Sequence, residues 1–353
     1  MQISLLEGHG IGPEVSTAAR AVVAATGLQV EWVEWPMGAE AVERFGQAVP
    51  PGFVAAVQRQ GACLKGPMLI ESFKGQITLA GPDDAGPRTY PSINAALRRE
   101  LGCFGQLRPI RGYRRVSGQY AGMDLVIVRE ITEDVYAGIE SEPAPGRAEG
   151  IKLVTRAASE RIARFAFEYA RRAGRKRVTV LHKATVLNLT DGLFLQCARD
   201  VAAEFPDIQF DDILIDTAFY LLVRAPQRFD VVLCSNQYGD IFADLAAGLV
   251  GSLGLVAGAN IGPRAGLFEA GHGAAPDIAG RNLANPLALI LSAALMLEHL
   301  GHTAEAGAIR TAVEAYLEGD EPLTPDLGGT ATTTLVTETL VRRVEAARLM
   351  APR

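Results

Sequence analysis

"MQISLLEGHGIGPEVSTAARAVVAATG" runs from Met1 to Gly27. Its first residues read as a short apolar strand that ends in a glycine-rich turn. Beyond Pro13, apolar residues recur at helical spacing. Pro13 near the start and Gly27 past the end punctuate a helix. The alternating "LQVEWVEW" (28–35), the helical "PPGFVAAVQRQG" (50–61) and the strand-like "ACLKGP" (62–67) follow. Together they give a β-α-β-α-β opening, the pattern of an α/β sheet. The turn "GHGIGPE" (8–14) holds G-x-G-x-G but not the full G-x-G-x-x-G, so a standard Rossmann site is not indicated. Its glycines allow backbone angles that other residues avoid.

The α/β pattern continues. "ESFKGQITLAGPDDAGPRTYP" (71–91) is rich in Gly and Pro with no period, and predicts a long loop of the functional kind. Helices are expected over "SINAALRREL" (92–101), "ASERIARFAFEYARRAG" (158–174), "DGLFLQCARDVAAEF" (191–205) and "NPLALILSAALMLEHLG" (285–301). Strands are expected over "DLVIVRE" (124–130), "RVTVLHK" (177–183), "DDILID" (211–216) and "DVVLCS" (230–235). No internal repeat or low-complexity tract interrupts them.

The 353 residues suit one large domain or two ordinary ones, and 48% hydrophobic with 21% charged residues can bury a sizeable core. A net charge of −6 argues against a nucleic-acid binder. Cys63, Cys103, Cys197 and Cys234 are far apart, with no C-x-x-C pair and no zinc spacing. Scattered thiols point to a reducing compartment, most simply the cytoplasm. The N-terminus lacks the features of a signal peptide, and no apolar run is long enough for a membrane span.

Several side chains carry possible chemistry. In "SNQYGDIFADLAAG" (235–248), Asp240 and Asp244 stand four apart in an apolar stretch. On a helix they share a face, where two carboxylates repel unless a cation lies near. They could ligate a hard ion such as Mg²⁺, or be a dipole-favoured aspartate and a solvated one. Asp216 follows a strand and reads by itself as a helix N-cap. Arg98, Arg99, Arg108 and Arg129 suit a polyanionic substrate if they converge, and are otherwise surface charges. Tyr136 and Lys183 each follow an apolar strand and could move protons if their surroundings tune them.

In order along the chain stand "GHGIGPE", "LKGP", "SINAALRREL", "VRE…EDVYAGIE", "HKA", "YGDIFADLAAGLVGSLG", "FEAGHGAAPDIAG", "NPLALILSA" and "TPDLGGTATT". This series resembles the β-decarboxylating dehydrogenases, the isocitrate and 3-isopropylmalate dehydrogenase family, nearly end to end. The resemblance implies a two-domain α/β fold with a large mixed sheet, distinct from a Rossmann domain. Residues 1–97 with 248–353 would form the large cofactor-side domain. Residues 98–247 would form the smaller one, with the dimer interface and the metal and catalytic residues. It further implies a homodimer whose active site lies in a cleft and borrows residues from the partner. Asp240 and Asp244 resemble ligands of Mg²⁺ or Mn²⁺, and Asp216 the third carboxylate, contributed across the interface. Arg98, Arg108 and Arg129 resemble the clamp for a small polycarboxylate. Tyr136 resembles the catalytic acid, and Lys183 the base-side residue of the partner. The implied reaction oxidises a 2-hydroxy acid with NAD and releases CO₂.

Cofactor and substrate are expected from the same resemblance. Gly271, His272, Gly273, Ala274, Ala275 and Asn285 resemble the adenosine loop, with Asp277 and Ile278 at the positions that separate NAD from NADP forms. A carboxylate at Asp277 suits ribose hydroxyls and repels a 2′-phosphate. Ser92 and Asn94 resemble groups that bond the extra carboxylate of isocitrate, where isopropylmalate forms carry leucines. Isocitrate is therefore the expected substrate. Homoisocitrate, 3-isopropylmalate and another substituted malate are alternatives, and a non-catalytic regulatory subunit is the alternative class. The departures are His9 for a usual Asp, "MLIESF" after "KGP", the long loop before Ser92, Ile131 and Thr185. Retention of Tyr136, Lys183, Asp216, Asp240 and Asp244 favours an enzyme.

Overall fold

The computed structural model describes residues 1–69, 77–79 and 87–350. Backbone contacts divide the chain into Met1–Cys103 with Ser252–Arg353, and Phe104–Gly251. The boundaries expected at 97/98 and 247/248 would cut two continuous helices, Ile93–Glu100 and Asn236–Val250. The observed divisions fall just beyond those helices, whose internal hydrogen bonds keep each in one piece.

The first unit opens with β1 (Gln2–Leu6), α1 (Gly12–Ala25), β2 (Glu31–Glu34), α2 (Ala39–Phe45), α3 (Phe53–Gln60) and β3 (Ala62–Lys65). β4 (Ile77–Leu79), β5 (Arg88–Tyr90) and α4 (Ile93–Glu100) follow. β4 and β5 pair antiparallel, Ile77 opposite Tyr90. The segment expected to be a plain loop over 71–91 therefore contains a short ladder; its remainder, 71–76 and 80–86, lies outside the described residues.

The second unit holds β6 (Gly105–Arg111), β7 (Asp124–Glu130), β8 (Glu140–Ala144), β9 (Arg147–Gly150), α5 (Arg156–Arg172) and β10 (Arg177–His182). It continues with α6 (Thr190–Ala202), β11 (Gln209–Leu214), α7 (Ile215–Arg224), β12 (Val231–Cys234) and α8 (Asn236–Val250). The chain returns to the first unit with β13 (Ala257–Ile261), β14 (Gly266–Ala270), α9 (Leu287–His299), α10 (Thr303–Glu318) and α11 (Thr333–Met350).

The first unit's strands run β13-β14-β3-β1-β2, parallel except for the β13–β14 pair. Those of the second run β11-β10-β12-β7-β6, parallel except for β7–β6. Helix crossovers explain the parallel pairs, and both runs of strands are covered by helices as parallel strands require. In the first unit α9 packs on β13 and β14, and α1 on α9. α9 is apolar on nearly every side because it is enclosed. In the second unit α5 and α6 pair on the sheet, and α8 lies along β6 and β7. α1 starts with proline in its first turn, as expected. The preceding Gly10 has φ 60°, and a side chain there would sit 2.0 Å from the Ala274 carbonyl oxygen. All four cysteines are buried and unpaired. Among the described residues no helix is long and apolar enough to cross a membrane.

Candidate active site

β6, the end of β7 with the turn after it, and the first turns of α8 bring five expected residues together in the second unit. Arg129 is almost fully buried; its Nε and Nη2 donate to Asn236 Oδ1 at 3.0 and 2.6 Å, and its Nη1 bonds Asp240. The Tyr136 hydroxyl donates to the other Asp240 oxygen at 3.0 Å, and the Arg129 guanidinium lies 5.5 Å from the Tyr136 ring centre. One turn on, Asp244 pairs with Arg108 Nη1 at 3.3 Å. Gly239 makes this approach possible, because a side chain there would sit 2.7 Å from Arg129 Cγ. Burial and then the bond to Asp240 push the Tyr136 phenol above its ordinary value. A proton on that hydroxyl is therefore firmly held at neutral pH.

Each aspartate of α8 thus has its own arginine, which answers the repulsion inherent in their spacing. As hard oxygen donors on successive turns of one helix, the two carboxylates fit Mg²⁺ or Mn²⁺ chemistry. No three acidic, histidine or cysteine side chains converge on a metal position among the described residues. Asp216 therefore does not complete a set with Asp240 and Asp244 inside one chain. It is the second residue of α7, not its cap, and accepts from Lys183 Nζ at 2.8 Å. That bond holds the exposed Asp216 carboxyl below its ordinary value. Lys183 and Asp216 form a pair of their own, apart from the Tyr136–Asp240 group.

In the first unit Arg98 belongs to a different network. Its Nη2 donates to Glu269 Oε1 at 2.7 Å, while Lys65 Nζ reaches the other oxygen at 2.7 Å and Asn260 Nδ2 adds a bond at 2.8 Å. Burial opposes the charge on Glu269, yet Lys65 and Arg98 hold its carboxyl well below the carboxylate range. Ser92 caps α4, its Oγ accepting from Ala95 N at 3.1 Å. This uses one lone pair and leaves the hydroxyl hydrogen able to donate. Asn94 Oδ1 is buried with no hydrogen-bond partner. His9 accepts from Leu69 N at 3.1 Å, and burial with Lys65 nearby lowers its pKa.

A cavity of about 630 Å³ opens in the same unit. Of the expected cofactor residues, His272, Gly273, Ala275, Ile278 and Asn285 line it, with Ile11, Pro325 and Asp326. Gly271, Ala274 and Asp277 do not. Ala274 is buried and binds Ile11 N through its carbonyl, and Asp277 is exposed. The carboxylate on the wall is Asp326, which accepts from Asn285 Nδ2 at 3.0 Å and Ser252 Oγ at 2.6 Å. His272 Nε2 is buried without a partner, and burial lowers the pKa of its ring. A neutral imidazole with one nitrogen free, beside apolar walls, fits a nucleoside.

A model of the isocitrate/isopropylmalate dehydrogenase family matches residues 2–344. The chain belongs to that family. Its members are NAD-dependent, oxidatively decarboxylating dehydrogenases, and the chain is an enzyme of this class. It is 44% identical over 328 residues to a 3-isopropylmalate dehydrogenase of Archaeoglobus fulgidus, covering 93% of this chain and 94% of the relative. It is 42% identical to subunit 2 of the mitochondrial NAD isocitrate dehydrogenase of Saccharomyces cerevisiae, covering 97% and 90%. The crystal structure of an isocitrate dehydrogenase from Methylococcus capsulatus superposes with a TM-score of 0.87 at 44% identity, covering 98% and 99%. The expected isopropylmalate dehydrogenase-like fold is thus correct.

Some residues of these two clusters were not singled out in the sequence. Asn236 and Gln106 hold Arg129. Lys65 and Glu269 sit opposite each other in the β3–β14 ladder. The signal was available: each is a lone charge in an apolar strand, and the two signs are complementary.

Proposed function

We propose that this dehydrogenase converts isocitrate to 2-oxoglutarate and CO₂ with NAD. The observation that carries the reading is α4, where Asn94 presents a buried, unpaired amide oxygen one turn from Arg98. An isopropyl group would leave that amide unsatisfied, whereas a polar substrate arm bonds it, through the oxygen or, with the amide turned over, through the nitrogen. Arg98, Arg108 and Arg129 bind the carboxylates, exchanging their present partners Glu269, Asp244 and Asp240 for the substrate. Asp240 and Asp244, with Asp216 from a partner subunit, would hold Mg²⁺ or Mn²⁺. Once bound, the ion supplies Lewis acidity and the nicotinamide takes the hydride. Tyr136 keeps its proton for delivery to C3, and Lys183 assists removal of the hydroxyl proton.

The cavity supports NAD over NADP, since the residues described along its wall include the carboxylate of Asp326 and no lysine or arginine. Ser92 adds a donor for the substrate arm. A homodimer is supported by exposed apolar side chains on α7 and α8, Tyr220 at 63% and Ile241 at 51%. Four buried thiols suit the cytoplasm. The identity to an archaeal 3-isopropylmalate dehydrogenase favours that acid as the second reading.

The test is initial-rate NADH formation by the purified chain with Mg²⁺ on isocitrate, homoisocitrate, 3-isopropylmalate, malate and tartrate, with NAD and NADP. The highest kcat/KM is expected for isocitrate with NAD. A preference for 3-isopropylmalate would overturn the Asn94 argument, and silence on all five acids would point to another 2-hydroxy acid.

A further inference from the structure

Asp134 precedes Tyr136 by two residues and has φ 72° and ψ −162°. That backbone region is essentially reserved for glycine. An aspartate persists there only if its side chain does something that glycine could not.

The surroundings show what it does. Asp134 is 1% exposed. Its Oδ1 accepts from Val135 N at 2.8 Å, in the single helical turn Val135–Ala137 that carries Tyr136. Its Oδ2 accepts from Gln237 N at 3.0 Å, in the first turn of α8, which carries Asp240. Lys152 Nζ stands 3.3 Å from Asp134 Oδ1 and 3.0 Å from Asp191 Oδ1, over the ring of Tyr238 at 4.3 Å. Asp191 in turn accepts from the backbone N–H of Lys183 at 2.6 Å. The Asp134 backbone is also fixed, its N–H donating to Leu153 O at 2.9 Å.

We infer that Asp134, held in this conformation by Lys152, is a positioning residue that fixes the Tyr136 hydroxyl against Asp240. The inference rests on Tyr136 as the proton donor of the proposed reaction. Through Asp191 the same lysine braces the strand end that carries Lys183. One buried cation thus ties together the backbones of both proton-transfer residues.

The experiment uses Asp134→Gly and Asp134→Asn, with the panel acid of highest kcat/KM. Glycine relieves the backbone and deletes the two side-chain bonds. D134G is expected to lower kcat about tenfold or more, since small misplacements of reacting groups are that costly. KM for the acid and for NAD should stay within about twofold, while the melting temperature falls because Lys152 loses a buried partner. D134N, which keeps one acceptor oxygen, should recover part of kcat. A kcat within about twofold of the parent would overturn the proposal. So would a drop in kcat that comes with a raised KM, the pattern of a plain structural brace. If D134G does not fold, Lys152→Gln is read by the same criteria. Tyr136→Phe separates the two levels. If Y136F keeps full kcat, the Tyr136 reading fails. If Y136F is slow and D134G is not, only the positioning role fails.

Discussion

A carboxylate as enclosed as Glu269 stays charged because Lys65 and Arg98 both reach it. Removing one member of such a buried set costs about 3–5 kcal/mol, so Glu269→Gln should be destabilised by about that much at pH 7. The folded carboxyl titrates well below the ordinary 4.5, so its contribution is present above pH 4.5 and fades as pH falls below it. Urea melts of parent and variant should therefore differ widely at pH 7 and converge toward pH 3; a gap independent of pH would refute the assignment. Legibility at this scale followed locality. Asp240 and Asp244 stood out as charges in an apolar run, and Arg129 as the charge ending an apolar strand. Lys65 and Glu269 carried the same signal singly, but their pairing did not show, because they lie 204 residues apart and meet only through a strand register. Asp326 was not singled out, because the motif gave the loop but not which carboxylate lines the cavity.

Helices with their own punctuation were readable from local chemistry. α1 has its proline, α4 its serine cap and α5 its threonine cap. Ser92→Ala should lower stability by about 1 kcal/mol through loss of that cap, and raise KM for isocitrate through loss of the hydroxyl donor. Denaturant midpoints and KM measured on one preparation report the two effects separately. An unmoved midpoint would mean that the Ala95 N–H finds another acceptor. β4 and β5 escaped notice because three residues are too few to show a period. β8 and β9 escaped for a different reason: every residue of the pair is exposed, so neither strand has an apolar face.

For the whole molecule, the order of motifs gave the family and fold, because a long ordered series is far more specific than any single spacing. The unit boundaries were placed several residues early because motif limits need not coincide with helix ends. The proposed association of two copies is tested by Tyr220→Glu with Ile241→Glu, which put charges on the exposed faces of α7 and α8. Light scattering should show a dimer for the parent and a monomer for the double variant. Activity should fall with it, since Asp216 and Lys183 are read as serving the partner; a dimeric variant would reject these faces as the contact.

The first unit is discontinuous in sequence: β3 has β14 as its sheet neighbour, while the whole of the second unit lies between them in the chain. During synthesis, every strand of the second unit is made before β13 and β14 are. β3 must wait with one edge unpaired, and unpaired strand edges are where nascent chains stick to one another. The order of translation therefore makes 62–65 the place where a chaperone would be of most use, and the late arrival of 266–270 the step that ends the need for one.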